Sequence, residues 1–104
     1  MTYQLPELNY DYAALEPHIS ARIMELHHSK HHQAYVTGAN AALEAMEKAR
    51  SEDNYASLPK LQKDLAFNLG GHVNHSVFWK NLSPDSSMPE GDLAAAINEY
   101  FGSF

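Results

Sequence analysis

Residues 26–36 read Leu26-His27-His28-Ser29-Lys30-His31-His32-Gln33-Ala34-Tyr35-Val36, and residues 67–79 read Phe67-Asn68-Leu69-Gly70-Gly71-His72-Val73-Asn74-His75-Ser76-Val77-Phe78-Trp79. Six of the chain's seven histidines lie in these two stretches. Imidazole is the commonest side-chain metal ligand, because its neutral form offers a lone pair near neutral pH. Two separated clusters on helix-like segments suggest a site that closes when two helices come together.

The flanking sequence supplies those helices. From about Pro17 to Arg50 the pattern is helical, and a proline at the entry suits a first helical turn. Ile19, Ile23 and Leu26 begin an apolar stripe that Ala39, Ala42, Leu43 and Met46 continue. A helix over 20–50 would run about 45 Å at roughly 1.5 Å per residue. Gly38 within it marks a bend or a close helix contact. Ser51-Glu52-Asp53-Asn54 is a polar break. A second helical stretch follows from about Tyr55 to Leu82, with Pro59 near its first turn and Leu58, Leu61, Leu65 and Leu69 in one row. Gly70-Gly71 weakens a helix, which points to a packing or site purpose. The run Asn68–Lys80 is expected to form a tighter, separately oriented helix. Residues 1–17 read as an extended arm that Tyr3, Tyr10 and Tyr12 anchor onto a helical surface. Residues 81–91 read as a linker, and Asp92–Tyr100 as a short helix that Gly102 ends. The expected fold is all-α.

Composition bounds the chemistry. The chain has 104 residues, 44% of them hydrophobic and 19% charged, as in an ordinary globular domain. It has no cysteine, which excludes disulfides, thiolate metal sites and cysteine nucleophiles. Any metal must therefore sit on nitrogen and oxygen. The formal charge of −6 argues against nucleic acid, whose phosphates need clustered Lys and Arg. Lys30 nevertheless sits among four histidines with no acid, a local patch that could attract a small anion. No apolar run approaches the roughly 18 residues of a membrane span. The N-terminus, Met1-Thr2-Tyr3-Gln4-Leu5-Pro6-Glu7, has no basic flank or apolar stretch, so no signal peptide is expected and the cytoplasm is the default compartment.

On helices, His27 and His31 share a face, as do His28 and His32, and Tyr35 extends the first row. Leu26 and Ile23 lie beside that row and place His27 near the buried side. His28 and His32 turn further away and are expected to be exposed. In the second cluster Phe67, Gly71, His75 and Trp79 advance in steps of four. Phe67, Phe78 and Trp79 would give His75 an aromatic, water-poor shell of the kind that tunes redox potential. Gly71 leaves space for another group to approach. His72 could face the first helix or solvent. The chain lacks the His-Glu-x-x-His pattern of zinc proteases, a Gly-x-Ser-x-Gly elbow and a Walker loop. Spacing alone leaves two readings open, a metal site or a hairpin with structural histidines.

These two stretches, together with Leu15-Glu16-Pro17-His18-Ile19 and Asn81-Leu82-Ser83-Pro84, resemble the N-terminal half of an iron/manganese superoxide dismutase. The similarity runs from about Leu5 to Phe104. The resemblance implies a long antiparallel helical hairpin over 1–83. Residues 84–104 would then be a linker and the first helix of an incomplete α/β C-terminal domain. It implies one metal per subunit, bound by three histidines, an aspartate and a solvent molecule. By position His27 and His75 would be ligands, His31 and Tyr35 the catalytic gateway and proton relay, and Phe67, Phe78 and Trp79 the aromatic wall. Lys30 would belong to the funnel for the superoxide anion. Many iron-type members carry glutamine where this chain has Gly71, so manganese is expected, with iron as the alternative. A homodimer or homotetramer is implied. The Trp-rich segment that holds the other two ligands has no counterpart here, since Trp79 is the sole tryptophan. The chain thus carries half a ligand set. The alternative reading is an inactive, truncated helical module for metal binding or oligomerisation. The metal reading requires the Nε2 atoms of His27 and His75 to come within reach of one ion.

Overall fold

Ser20, not Pro17, opens the first helix. Its backbone is extended, and its Oγ accepts from the Ile23 N–H at 3.2 Å, satisfying a donor that the helix start leaves free. Pro17 instead follows a cis peptide bond in the turn before it. The computed structural model describes residues 2–104. A short 3₁₀ turn covers Tyr12–Leu15, and helix α1 covers Ala21–Glu25. A π-helical segment, Leu26–His32, joins α1 to α2, Gln33–Ser51, so that one rod runs unbroken from 21 to 51. Helix α3 covers Leu58–Lys80 and α4 covers Gly91–Phe101.

The first rod and α3 form the expected hairpin. The turn between them rests on Asp53, whose φ of 49° is left-handed, a region that Asp tolerates better than most residues. Asn54 N–H donates to the Ala49 carbonyl at 2.9 Å, and Asp53 N–H to that of Arg50 at 3.3 Å, closing the helix end. Pro59 lies in the first turn of α3, where a missing N–H does no harm. Along the seam Val36, Ala39, Ala42 and Ala49 are buried, and the small alanines let the rods approach closely. Leu58, Leu61, Leu65 and Leu69 are all half-buried. Ion pairs such as Lys48–Glu52 and Arg22–Glu25 lie on solvent faces and contribute little.

The expected division of α3 at Asn68 does not occur: the helix is continuous through both glycines. They differ in what surrounds them. A Cβ at Gly71 would collide with the Tyr35 ring, and one at Gly38 with the Asn68 side chain, so each glycine is a point of inter-helix contact. A Cβ at Gly70 would meet nothing within 4 Å, so no packing purpose attaches to it. The expected apolar stripe also shifts at its start. Ile23 is 57% exposed, and Met24 is buried in its place with Leu15 and Trp79. The reason is the arm, whose Leu8, Tyr10 and Tyr12 close over that cluster and define its inner side.

All three arm tyrosines make contacts. Asn40 pairs with both backbone groups of Tyr3, accepting from its N–H at 2.8 Å and donating to its carbonyl at 2.9 Å. Tyr10 Oη–H donates to the Trp79 carbonyl at 2.7 Å. Tyr12 reaches His28. Helix α4 packs against no other helix of the described residues and leaves Leu93, Tyr100 and Phe101 exposed. Gly102, at φ 87°, ends it as expected. Among the described residues no helix is long and apolar enough to cross a membrane.

The glycine contrast makes a paired prediction. Gly70→Ala should raise stability by about 0.5–1 kcal/mol, since it only removes backbone freedom. Gly71→Ala should lower it by about 1–3 kcal/mol, because an aromatic ring must move. Urea midpoints of the two variants measure both effects.

Candidate metal centre

Each site residue is set by its place on a rod. The π segment governs the first four histidines. In an α-helix each residue turns about 100°, so His32 would point roughly 140° away from His27. Bonding from i to i+5 widens the turn and brings residues five apart onto nearly one side. His28 and His32, expected to be exposed, are instead buried, His32 completely. All four imidazoles of this segment lie within about 6 Å of a ring on α3 or the arm.

Buried imidazoles need partners for both nitrogens, and here the partners fix the tautomers. The indole of Trp79 can only donate, and its Nε1–H lies 2.9 Å from His32 Nδ1. His32 therefore carries its proton on Nε2, which donates to His72 Nδ1 at 2.8 Å. The carbonyl of Pro6 can only accept, at 2.7 Å from His28 Nε2. His28 too is an Nε2–H tautomer, and its Nδ1 accepts from Tyr12 Oη–H at 2.9 Å. Both are closed structural groups. His72, whose direction the sequence left open, faces the first rod.

His75 is the reverse case. Its Nδ1 lies 2.7 Å from the Gly71 carbonyl, which fixes the proton on Nδ1 and leaves a lone pair on Nε2. That lone pair faces His27 Nε2 at 3.1 Å. Imidazole nitrogens bind ions such as zinc at about 2.0–2.1 Å, so two donors on one ion lie no more than about 4 Å apart. The pair satisfies that test. Ring nitrogens of His27, His31 and His75 all lie within 4.8 Å of one another. His31 is exposed, whereas His27 and His75 are half-buried.

Around the nitrogens sits an aromatic frame. Tyr35 lies 5.1 Å from His31 and 5.2 Å from His75 between ring centroids, in the space that Gly71 leaves. Trp79 stands edge-on to His27 at 4.8 Å, and Phe78 is 5.5 Å from it. The expected water-poor shell is built on one side only. Trp79 is buried, but Phe78 is 39% exposed and Phe67 is 67% exposed, touching Tyr35 rather than His75. An open pocket of about 340 Å³ lined by His27, Asn74, His75 and Phe78 lies on the other side. Lys30 is exposed and forms no ion pair among the described residues.

Burial, reinforced by the imidazoles of His75 and His31, holds His27 below its usual acidity range. His32 is pushed down to about 4, first by burial and then by the neighbouring imidazoles of His72, His75 and His28. The geometry agrees, since a second proton on His32 would point at the Trp79 N–H. A folded value below the ordinary 6.5 means that the unfolded chain binds the extra proton more readily. The stabilisation is complete above about pH 6.5 and is lost as pH falls toward 4, by up to about 3 kcal/mol. Urea midpoints measured across that interval should fall with pH, and His32→Gln should flatten the slope. An equal slope in both proteins would contradict this account of His32.

Residues 2–83 match the family profile described as iron/manganese superoxide dismutases, alpha-hairpin domain. The chain is 63% identical to a superoxide dismutase [Mn/Fe] of Propionibacterium freudenreichii subsp. shermanii, over 98% of this chain and 52% of that protein. It is 62% identical to a superoxide dismutase [Mn] of Nocardia asteroides and 60% identical to one of Mycobacterium intracellulare, each over 98% of this chain and 50% of the relative. The chain thus spans about half the length of the curated relatives it matches. A helical hairpin with converging imidazoles and a profile match over most of its length lead to one assignment: the chain belongs to the iron/manganese superoxide dismutase family.

Proposed function

We propose that this chain supplies two protein ligands, His27 and His75, to the metal of a superoxide dismutase, the metal being manganese with iron as the alternative. The observation that carries the reading is the pair of Nε2 atoms 3.1 Å apart, with His75 held in the metal-binding tautomer by the Gly71 carbonyl. The relatives named for manganese, or for manganese and iron, support the choice of ion. When bound there, such a metal would supply one-electron redox chemistry between +3 and +2, by which two superoxide ions and two protons would become dioxygen and hydrogen peroxide.

The chain's residues would do the rest. His27 and His75 hold the ion from neighbouring rods, so the hairpin's register sets the cage. Trp79 closes the inner side against water. His31 is exposed and adjoins Tyr35, which adjoins His75, an order suited to moving a proton from solvent toward the ion. Lys30 would draw the anion along the exposed face. Residues 84–104 are read as a linker and the first helix of a second domain. The family match ending at residue 83 and the unpacked α4 support that reading. The remaining ligands would come from that domain. A cytoplasmic homodimer or homotetramer is proposed, with the exposed Phe67, Val77 and Phe78 as apolar surface to bury.

Elemental analysis of the complete protein tests the ligand assignment. His27→Ala and His75→Ala should each reduce metal content below about a tenth of the parent's, since a two-imidazole contribution is halved. Tyr35→Phe should retain the metal and change turnover. Full metal content in either alanine variant would refute the assignment. Residues 2–104 alone should show little manganese-dependent dismutase activity, because two imidazoles make a weak, unselective chelate.

A further inference from the structure

We propose that His32, itself no ligand, is a positioning residue that fixes both ligand imidazoles from behind, through its hydrogen bonds to Trp79 and His72. The inference rests on the metal-site reading above. His32 is completely buried and sits between the first rod and α3. Its Nδ1 accepts from Trp79 Nε1–H at 2.9 Å, and its Nε2–H donates to His72 Nδ1 at 2.8 Å. Both partners lie on α3, seven residues apart, so one ring ties two successive turns of α3 to the first rod.

From there the ring reaches each ligand by a different route. Trp79, held by His32, presents its edge to His27 at 4.8 Å and 72°. His32 also lies directly against His75, at 5.4 Å and 37°. The Gly71 bond fixes which nitrogen of His75 bears the proton, but it is a bond within α3 and cannot set the distance to His27. That distance depends on how α3 is docked, and the described hydrogen bonds crossing between π segment and α3 are those of His32 and the His27–His75 contact itself. Without an acceptor at the His32 position, the buried indole must turn to find a partner, and His27 loses the wall that sets its ring plane.

The test uses the complete protein loaded with manganese. His32→Leu removes both bonds. His32→Gln keeps one acceptor and one donor at nearly the same separation. The readouts are manganese affinity and the visible and electron paramagnetic resonance spectra of the bound ion. His32→Leu should weaken binding about ten- to a hundred-fold, the usual range for groups that orient metal ligands, and should alter both spectra. His32→Gln should restore the parent spectra. Leu61→Ala, far along α3, serves as the control for general destabilisation and should leave the spectra unchanged. If His32→Leu does not fold, His72→Phe decides, since it keeps a ring and removes the acceptor of the His32 Nε2–H; it should shift the spectra in the same way. Parent spectra and affinity in the decisive variant would overturn the positioning role. If the parent takes up no manganese, or if His27→Ala keeps it, the metal-site reading fails first; a silent His32 with both ligands still required sinks the positioning role alone.

Discussion

The fold's central constraint is that an imidazole buried between two helices must have both nitrogens engaged. His32 meets it by accepting from an indole and donating to a second imidazole. Those bonds bridge the rods where the apolar seam gives way to histidines, and they hold only in one register. Val36, Ala39 and Ala42 bring the rods close but would tolerate small slides, because apolar contact has little direction. Hydrogen bonds between rings do not. The 3.1 Å approach of His27 Nε2 to His75 Nε2 goes with the register in which the bonds of His32 form.

Tautomers separate the structural from the chemical. His28 and His32 donate from Nε2 to a fixed acceptor and accept at Nδ1 from Tyr12 and Trp79, so neither has a free lone pair. His75 carries its proton on Nδ1, spent on the carbonyl one turn back, and turns its lone pair outward. Six histidines within two short stretches could have formed several competing chelates. The carbonyls of Pro6 and Gly71, with Tyr12, Trp79 and His72, engage the other nitrogens and leave the Nε2 atoms of His27 and His75 facing each other.

Much of this was legible in the sequence. The helical periods of 17–50 and 55–82 gave both rods, and the row His27, His31, Tyr35 gave the site's outer edge. Gly71 as a gap for an approaching side chain was readable from its place one turn before His75. The burial of His28 and His32 was not, because an α-helical wheel sends them outward and nothing in composition announces a π segment. Their partners are a carbonyl and a tyrosine from the arm, 22 and 16 residues away in sequence for His28, and an indole on the other rod for His32. Ile23 and Met24 exchange roles for a similar reason, since the arm decides which side of α1 is inside. Gly70 misled through its neighbour: two adjacent glycines looked like one device, and only Gly71 is one.

The wide turn at Leu26–His32 has a consequence for how this segment can vary in length. A helix made of ordinary turns forgives substitution but not insertion, since one residue more or less rotates everything beyond it by about 100°. Here the rotation has already been absorbed by i→i+5 bonding. Removing a single residue within it would restore regular turns and leave Tyr35, Gly38 and Asn40 near their present faces. Such a deletion would instead undo the inward turn of His28 and His32, so the segment's length matters to the imidazoles it carries rather than to the seam beyond it.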